Sequence, residues 1–478
     1  MGKRKRDFSF RPFFRSEITA FGGMDSFSRL PDELVLHILS FLPMEEVVRT
    51  SVLSRRWRYL YASISNVVLD FHGETYNRII GLMNIADRLF YYRNRCPIDK
   101  FQLSWPESKH LDPLRLEGWI KVVICNGVRE VDISIYAFHL KELLLPSSLF
   151  TCETLVVLKL NISRKFDGSG LELPANVRLP SLKFLHLSEI TFSNVDSWNR
   201  LFSNCPVLED LYFSFTGGHC KLSVFHPKLK RLTLLCVATD WLYGGIEIVI
   251  TAPSLVYLAC TVNDADSIIF VNIQCLVKAN IEFSRLIGNK ERYTRVATDL
   301  MGGISNIQTL WITGFTLSIL KLLSVPIPVF HKMTHLTIFF GESYVNKLPY
   351  LLERCESLET LVLQNKCYWD LAAWSLLEAS KISCFSSCLK TIKILSFNGY
   401  ADEMEIVKFF LNSARVLGSM EIHIHANYEA LPEIIERLLM LPRVSKECNV
   451  TVFQAHAMVD KSSFCAHCLD WKVRESSS

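Results

Sequence analysis

The sequence predicts an α/β protein: a solenoid of stacked repeats sharing one parallel β-sheet, with a small helical module before it and a small α/β unit after it. Three observations carry this reading. A six-residue apolar pattern recurs about every 26 residues through most of the chain. Residues 25–61 break from that pattern with helix-start and helix-stop signals. After Leu389, helical and strand periods alternate within short distances. At 478 residues, 49% hydrophobic and 21% charged, the chain is too long for one compact core and too apolar for disorder.

The pattern reads apolar, two mixed, apolar, one mixed, apolar. Clear copies begin at Leu155, Leu182, Leu208, Leu229, Leu255, Ile307, Met333, Leu358 and Leu389, with a weaker one at Leu276 and two upstream at Ile98 and Val128. Their spacings run from 21 to 31 residues. The last two apolar positions alternate across one residue, which is strand periodicity with one face buried. One such unit cannot cover its own apolar face, so neighbours must stack. The arrangement is similar to a leucine-rich repeat. Pro180, Pro206, Pro227 and Pro253 each stand two residues before a copy, at the corner leading into the strand. The mixed residue between the strand leucines faces away from the core. Lys159, His186, Tyr212, Thr233, Trp311 and Val362 are therefore candidate target-binding positions, expected to be exposed.

The uncharged stretch from Leu300 to Leu320 has the length of a membrane span. Its glycines and polar residues, and its register with the repeat, read instead as soluble structure, and no membrane partner is expected.

In the helical module, Pro31 suits the start of a helix whose first turn carries Asp32 and Glu33 beside the positive dipole end. Leu34, Ile38 and Leu42, with Leu39 and Phe41, form a wide apolar stripe, and Pro43 ends the helix. A second short helix opens with Glu45 and Glu46 and presents Val47, Val48 and Val52. Ser54 can cap a third carrying Trp57 and Leu60. Helices this short cannot cover so wide a stripe, and the surplus implies a partner.

The runs Leu30-Pro31-Asp32-Glu33-Leu34, Ile38-Leu39-Ser40-Phe41-Leu42-Pro43 and Ser51-Val52-Leu53-Ser54-Arg55-Arg56-Trp57-Arg58-Tyr59-Leu60 closely resemble the F-box, its plant form most. The resemblance implies docking onto a Skp-type adaptor, and through it a cullin, in an SCF-type ubiquitin ligase. It implies an adaptor surface formed or supported by Leu30, Pro31, Leu34, Ile38, Leu39, Val52, Leu53, Ser54 and Trp57.

Beyond Leu389, a helix starting near Asp402, an alternating strand Met420-Ile422-Ile424, a helix near Pro432 and a strand over 449–453 form a small α/β unit, with Gly418 closing its first helix. This stretch looks like the FBD module that follows F-box and leucine-rich repeats in many plant proteins. The boundaries expected are a basic tail over 1–24, F-box 25–71, solenoid 72–380, FBD-like module 381–455 and a tail over 456–478.

The net charge of +4 is concentrated at the start, where Lys3, Arg4, Lys5, Arg6, Arg11 and Arg15 face only Asp7. The body is nearly neutral, so no nucleic-acid partner is expected. Fifteen cysteines without a secretory signal read as reduced, mostly buried thiols of the cytoplasm or nucleus. Phosphate-loop, nucleophile-elbow and His-Glu-x-x-His signatures are missing, and no enzyme activity or cofactor is expected. Cys465 and Cys468 form a lone C-x-x-C that does not make a metal site by itself. His423 and His425 read as solvated strand residues, and Asp264 with Asp266 as a turn. Together these features imply a non-catalytic substrate receptor. The alternatives left open are a scaffold acting through its repeats alone and a repeat receptor gated by a small molecule.

Overall fold

The computed structural model describes residues 30–73, 75–93, 96–105, 112–136, 145–163, 173–190, 195–216, 220–237, 246–262, 265–283, 290–340, 348–365, 382–425 and 431–455. The basic tail, Asp264 and the Cys465–Cys468 pair lie outside them.

Among the described residues, fifteen strands form one parallel sheet, from Asn66–Asp70 at one edge to Asn449–Ala455 at the other. Its register is that of the sequence repeat. The middle apolar position of each copy pairs with the next, running Val67, Phe101, Val131, Leu158, Leu185, Leu211, Leu232, Leu258, Ala279, Leu310, Leu336, Leu361, Ile392, Met420 and Val450. Almost all of these side chains are fully buried, and they belong to one continuous hydrophobic core. This is a mixed α/β leucine-rich-repeat solenoid.

The four prolines sit in turns with a common hydrogen bond. The amides of Leu182, Leu208, Leu229 and Leu255 donate to the carbonyls of Leu179, Cys205, His226 and Ala252, three residues earlier. This places each proline second in its turn, where a fixed φ helps and no amide hydrogen is needed.

The element that returns the chain across the outer side differs between repeats. The 31-residue spacing after Leu276 holds a helix over Lys290–Gly303. The repeats beginning at Leu208, Leu229 and Leu255 instead return through strands Cys220–Phe225, Ile246–Thr251 and Ala265–Val271, which form a second, three-stranded parallel sheet. An extended segment covers more distance per residue than a helix, which suits the two 21-residue repeats at Leu208 and Leu255; the 26-residue repeat at Leu229 lies between them and pairs its return strand with both. The uncharged Leu300–Leu320 stretch divides into a helix end, the strand Thr309–Thr313 and the helix Gly314–Leu322. No helix among the described residues is long and apolar enough to cross a membrane.

The C-terminal α/β module adds its strands to the same sheet: Leu363, Ile394, Ile422 and Val452 continue the register, which shifts once after Ile394. One expectation is corrected. Gly418 does not close the helix before it, which spans Ala401–Ser413. Its amide donates to the Lys390 carbonyl at 2.9 Å, where the next strand begins.

Candidate functional site

The helical module has two faces. Helix α1 spans Asp32–Leu39 and follows directly on Pro31, whose carbonyl accepts from the Leu34 and Val35 amides. Asp32 and Glu33 occupy its first turn. Helix α2 spans Met44–Arg49, after Pro43. The expected third helix takes 3-10 form over Trp57–Ser63, with the Ser54 hydroxyl accepting from the Trp57 amide at 3.3 Å. Arg56 fastens this turn to α1: its Nε donates to Asp32 Oδ1 at 2.8 Å, and its other nitrogen reaches Asp32 and the Leu30 carbonyl.

Val35, Leu39, Met44 and Val47 turn inward and join the solenoid core with Tyr61, Ala62 and Ile64. Helix α3, Tyr76–Tyr92, is the outer helix of the first repeat and packs beside α2. Two polar contacts fix the join. Arg78 of α3 meets Glu45 of α2 at 2.9 Å. Arg93, buried at the end of α3, donates to the carbonyls of Ile64, Cys96 and Pro97. Burial pushes the Arg93 guanidinium down to about 10, which leaves it charged at neutral pH.

The opposite face is bare. Leu34, Ile38 and Leu42 are about half exposed, while Phe41 is 75%, Leu53 68% and Val52 84% exposed. Leu34 and Ile38 share one face of α1, and Phe41 and Leu42 extend it in the turn that follows, so the apolar stripe has been split: Leu39 supports it from inside, together with Val35. Of the other residues named from the sequence, Pro31 and Ser54 are exposed, and Leu30 and Trp57 pack half-buried against the core. Phe41 and Leu42 were absent from that set, although their stripe spacing marks them.

One face of the large sheet carries a second surface. Lys159, His186, Tyr212 and Thr233 lie side by side in one row, and Trp311 and Val362 continue the same row farther along. Lys159, His186, Trp311 and Val362 are half-buried. Tyr212 and Thr233 are buried rather than exposed. The His186 ring stacks on Tyr212 at 3.9 Å, and Leu235 packs against the same tyrosine. Charges on this face are matched rung to rung: Arg231 with Asp210 at 2.8 Å, Lys393 with Glu421 at 2.9 Å, and Lys159 near Asp132 at 3.8 Å. Burial pushes the Asp132 carboxyl up despite the lysine.

The F-box domain family matches residues 27–60, spanning both faces of the helical module. The family described as FBD-associated F-box protein At5g56370, LRR repeats, matches residues 116–281, and the FBD family matches 378–422. F-box/LRR-repeat protein At4g14096 of Arabidopsis thaliana is 33% identical over 457 residues, covering 90% of this chain and 94% of its own length. F-box/FBD/LRR-repeat protein At1g78750 of the same plant is 30% identical over 454 residues, covering 90% and 96%. The chain belongs to the F-box/LRR-repeat family. Proteins of this F-box/LRR-repeat family are generally non-catalytic adaptors, and an F-box implies in general a Skp1-type binding partner. The FBD match covers strand Thr391–Phe397 and the start of Ser419–His425, so in this F-box/LRR-repeat protein the FBD lies within the same sheet, one strand short of its edge at Asn449–Ala455.

Proposed function

We propose that this F-box/LRR-repeat protein is the substrate-recognition subunit of an SCF-type ubiquitin ligase. The observation that carries the reading is the bare apolar face of Leu34, Ile38, Phe41, Leu42, Val52 and Leu53. Covering six such side chains contributes on the order of 5–10 kcal/mol before the costs of association. That is enough to hold a stable partner on a module of two short helices.

In this reading Leu34, Ile38, Val52 and Leu53 touch the adaptor, Pro31 and Ser54 set the ends of the helical turns, and Leu30, Leu39 and Trp57 brace them from beneath. The row from Lys159 through Val362 holds the target. Because Tyr212 and Thr233 are covered, their contribution is to shape that row. The chain acts by proximity: it raises the effective concentration of a target lysine beside a charged conjugating enzyme carried by other subunits. Work in the nucleus or cytoplasm agrees with the ten described cysteines, all free thiols.

Affinity purification of the full chain tests the reading. It predicts recovery of a Skp-type adaptor and a cullin, both lost on combining Leu30→Ala with Pro31→Ala. Target recovery without adaptor or cullin would favour a scaffold acting through its repeats.

A further inference from the structure

Beside the F-box face, three tyrosines stand in water at the seam with the first repeat. Tyr59 follows the Trp57 turn, while Tyr91 and Tyr92 end α3, and they are 50%, 82% and 43% exposed. Their rings form one chain, with centroids 5.0 Å apart between Tyr59 and Tyr92 and 5.1 Å between Tyr91 and Tyr92. Arg88 lies one helical turn before Tyr91 and Tyr92, on the same side of α3.

The arginines of this region divide into two sets. Arg49, Arg56 and Arg78 are bonded to Glu46, Asp32 and Glu45. Arg55, Arg58 and Arg88 are exposed, and no carboxylate pairs with any of them among the described residues. The acidic neighbour of Arg88 in the chain, Asp87, is engaged by Arg115 and by the Trp119 indole. Tilted and edge-to-face tyrosines beside the unpaired Arg88 guanidinium have the composition that dominates binding energy at protein interfaces. The patch also continues directly from Val52 and Leu53 along the chain.

We infer that Tyr59, Tyr91, Tyr92 and Arg88 form a second contact for the adaptor docked on the F-box, receiving a carboxylate-rich segment of that protein. This inference rests on the adaptor reading above. It extends the interface from the F-box onto the first solenoid repeat, so that the adaptor grips both sides of the seam and the orientation of the solenoid is set by two contacts.

Calorimetric titration of a Skp-type adaptor into the full chain tests it, with Arg88→Glu, Tyr91→Ala and Leu53→Asp as variants. Arg88→Glu and Tyr91→Ala are expected to weaken binding about tenfold each. Arg88→Glu should also flatten the dependence of affinity on salt between about 0.05 and 0.3 M. Both side chains are exposed, so melting temperatures should match the parent. If both variants bind within about twofold of the parent while Leu53→Asp abolishes binding, the second contact is wrong and the F-box reading stands. If the parent itself does not bind, both are overturned.

Discussion

Glu45 of α2 and Arg78 of α3 meet at 2.9 Å across the seam between the F-box and the first repeat. The hydrogen bond from Arg78 holds the Glu45 carboxyl below its usual value of 4.5. The unfolded chain therefore binds more protons near that pH. The pair's contribution is full above pH 4.5 and is lost as pH falls through the folded value. Because the arginine is largely exposed, Arg78→Ala should cost only about 0.5–1 kcal/mol. A double-mutant cycle with Glu45→Gln, followed by thermal melts at low and high salt, measures the coupling and its screening.

Arg93 makes a larger contribution to the same seam. Its guanidinium is buried without an ion-pair partner among the described residues and serves three carbonyls from the end of the F-box and the first connection. Arg93→Leu leaves those carbonyls unpaired and should destabilise the fold by about 2–4 kcal/mol. Lysine reproduces the charge but not the fork, so Arg93→Lys should recover only part of the loss. Denaturant titration of the three proteins checks both statements.

His226 lies in the turn before the copy at Leu229, buried, with Nε2 donating to the Cys205 carbonyl at 2.7 Å and Nδ1 unpartnered. Burial pushes its pKa below the usual 6.5. Below pH 6.5 the unfolded chain takes up a proton that the folded chain resists, so stability falls as pH drops through that range. Melting temperature should decline from pH 7.5 to about 5.5, and His226→Gln should flatten the decline on its own lower baseline.

Gly399 precedes the helix Ala401–Ser413 at a φ of +82°, and a Cβ there would lie 2.5 Å from Ile434 Cδ1. Glu403 locks the same turn, its buried carboxylate accepting from the Asn398 and Tyr400 amides. Gly399→Ala combines backbone strain with a clash and should cost about 1–3 kcal/mol. Limited proteolysis should then cut first within the last repeats, while the F-box end resists as in the parent.

The repeat was legible because each copy must bury the same face, and the register at Leu158, Leu185 and Leu211 follows the sequence spacing. The first strand, with Ile64, Val67 and Leu69, carries the same pattern but stands 34 residues before Ile98. The 17-residue helix α3 stretches that spacing beyond the period and hid the copy. Tyr212 and Thr233 were expected in solvent because alternation assigns a face, whereas burial also depends on what stands beside them, here His186 and Leu235. The F-box stripe had the reverse difficulty. Periodicity finds its apolar residues, yet only the packing of α1 and α2 on Tyr61 and Ile64 tells Leu39 from Ile38. The tyrosine chain at the seam joins Tyr59 to Tyr92, residues brought together by the fold rather than by spacing.

Hydrogen exchange of the full chain with and without a Skp-type adaptor tests the central claim most directly. The account predicts slowed exchange in residues 34–42 and 50–60, around the bare face of Leu34, Ile38, Val52 and Leu53, with strand Thr391–Phe397 unchanged. Exchange unaltered across the helical module at saturating adaptor, or protection confined to the solenoid, would contradict it.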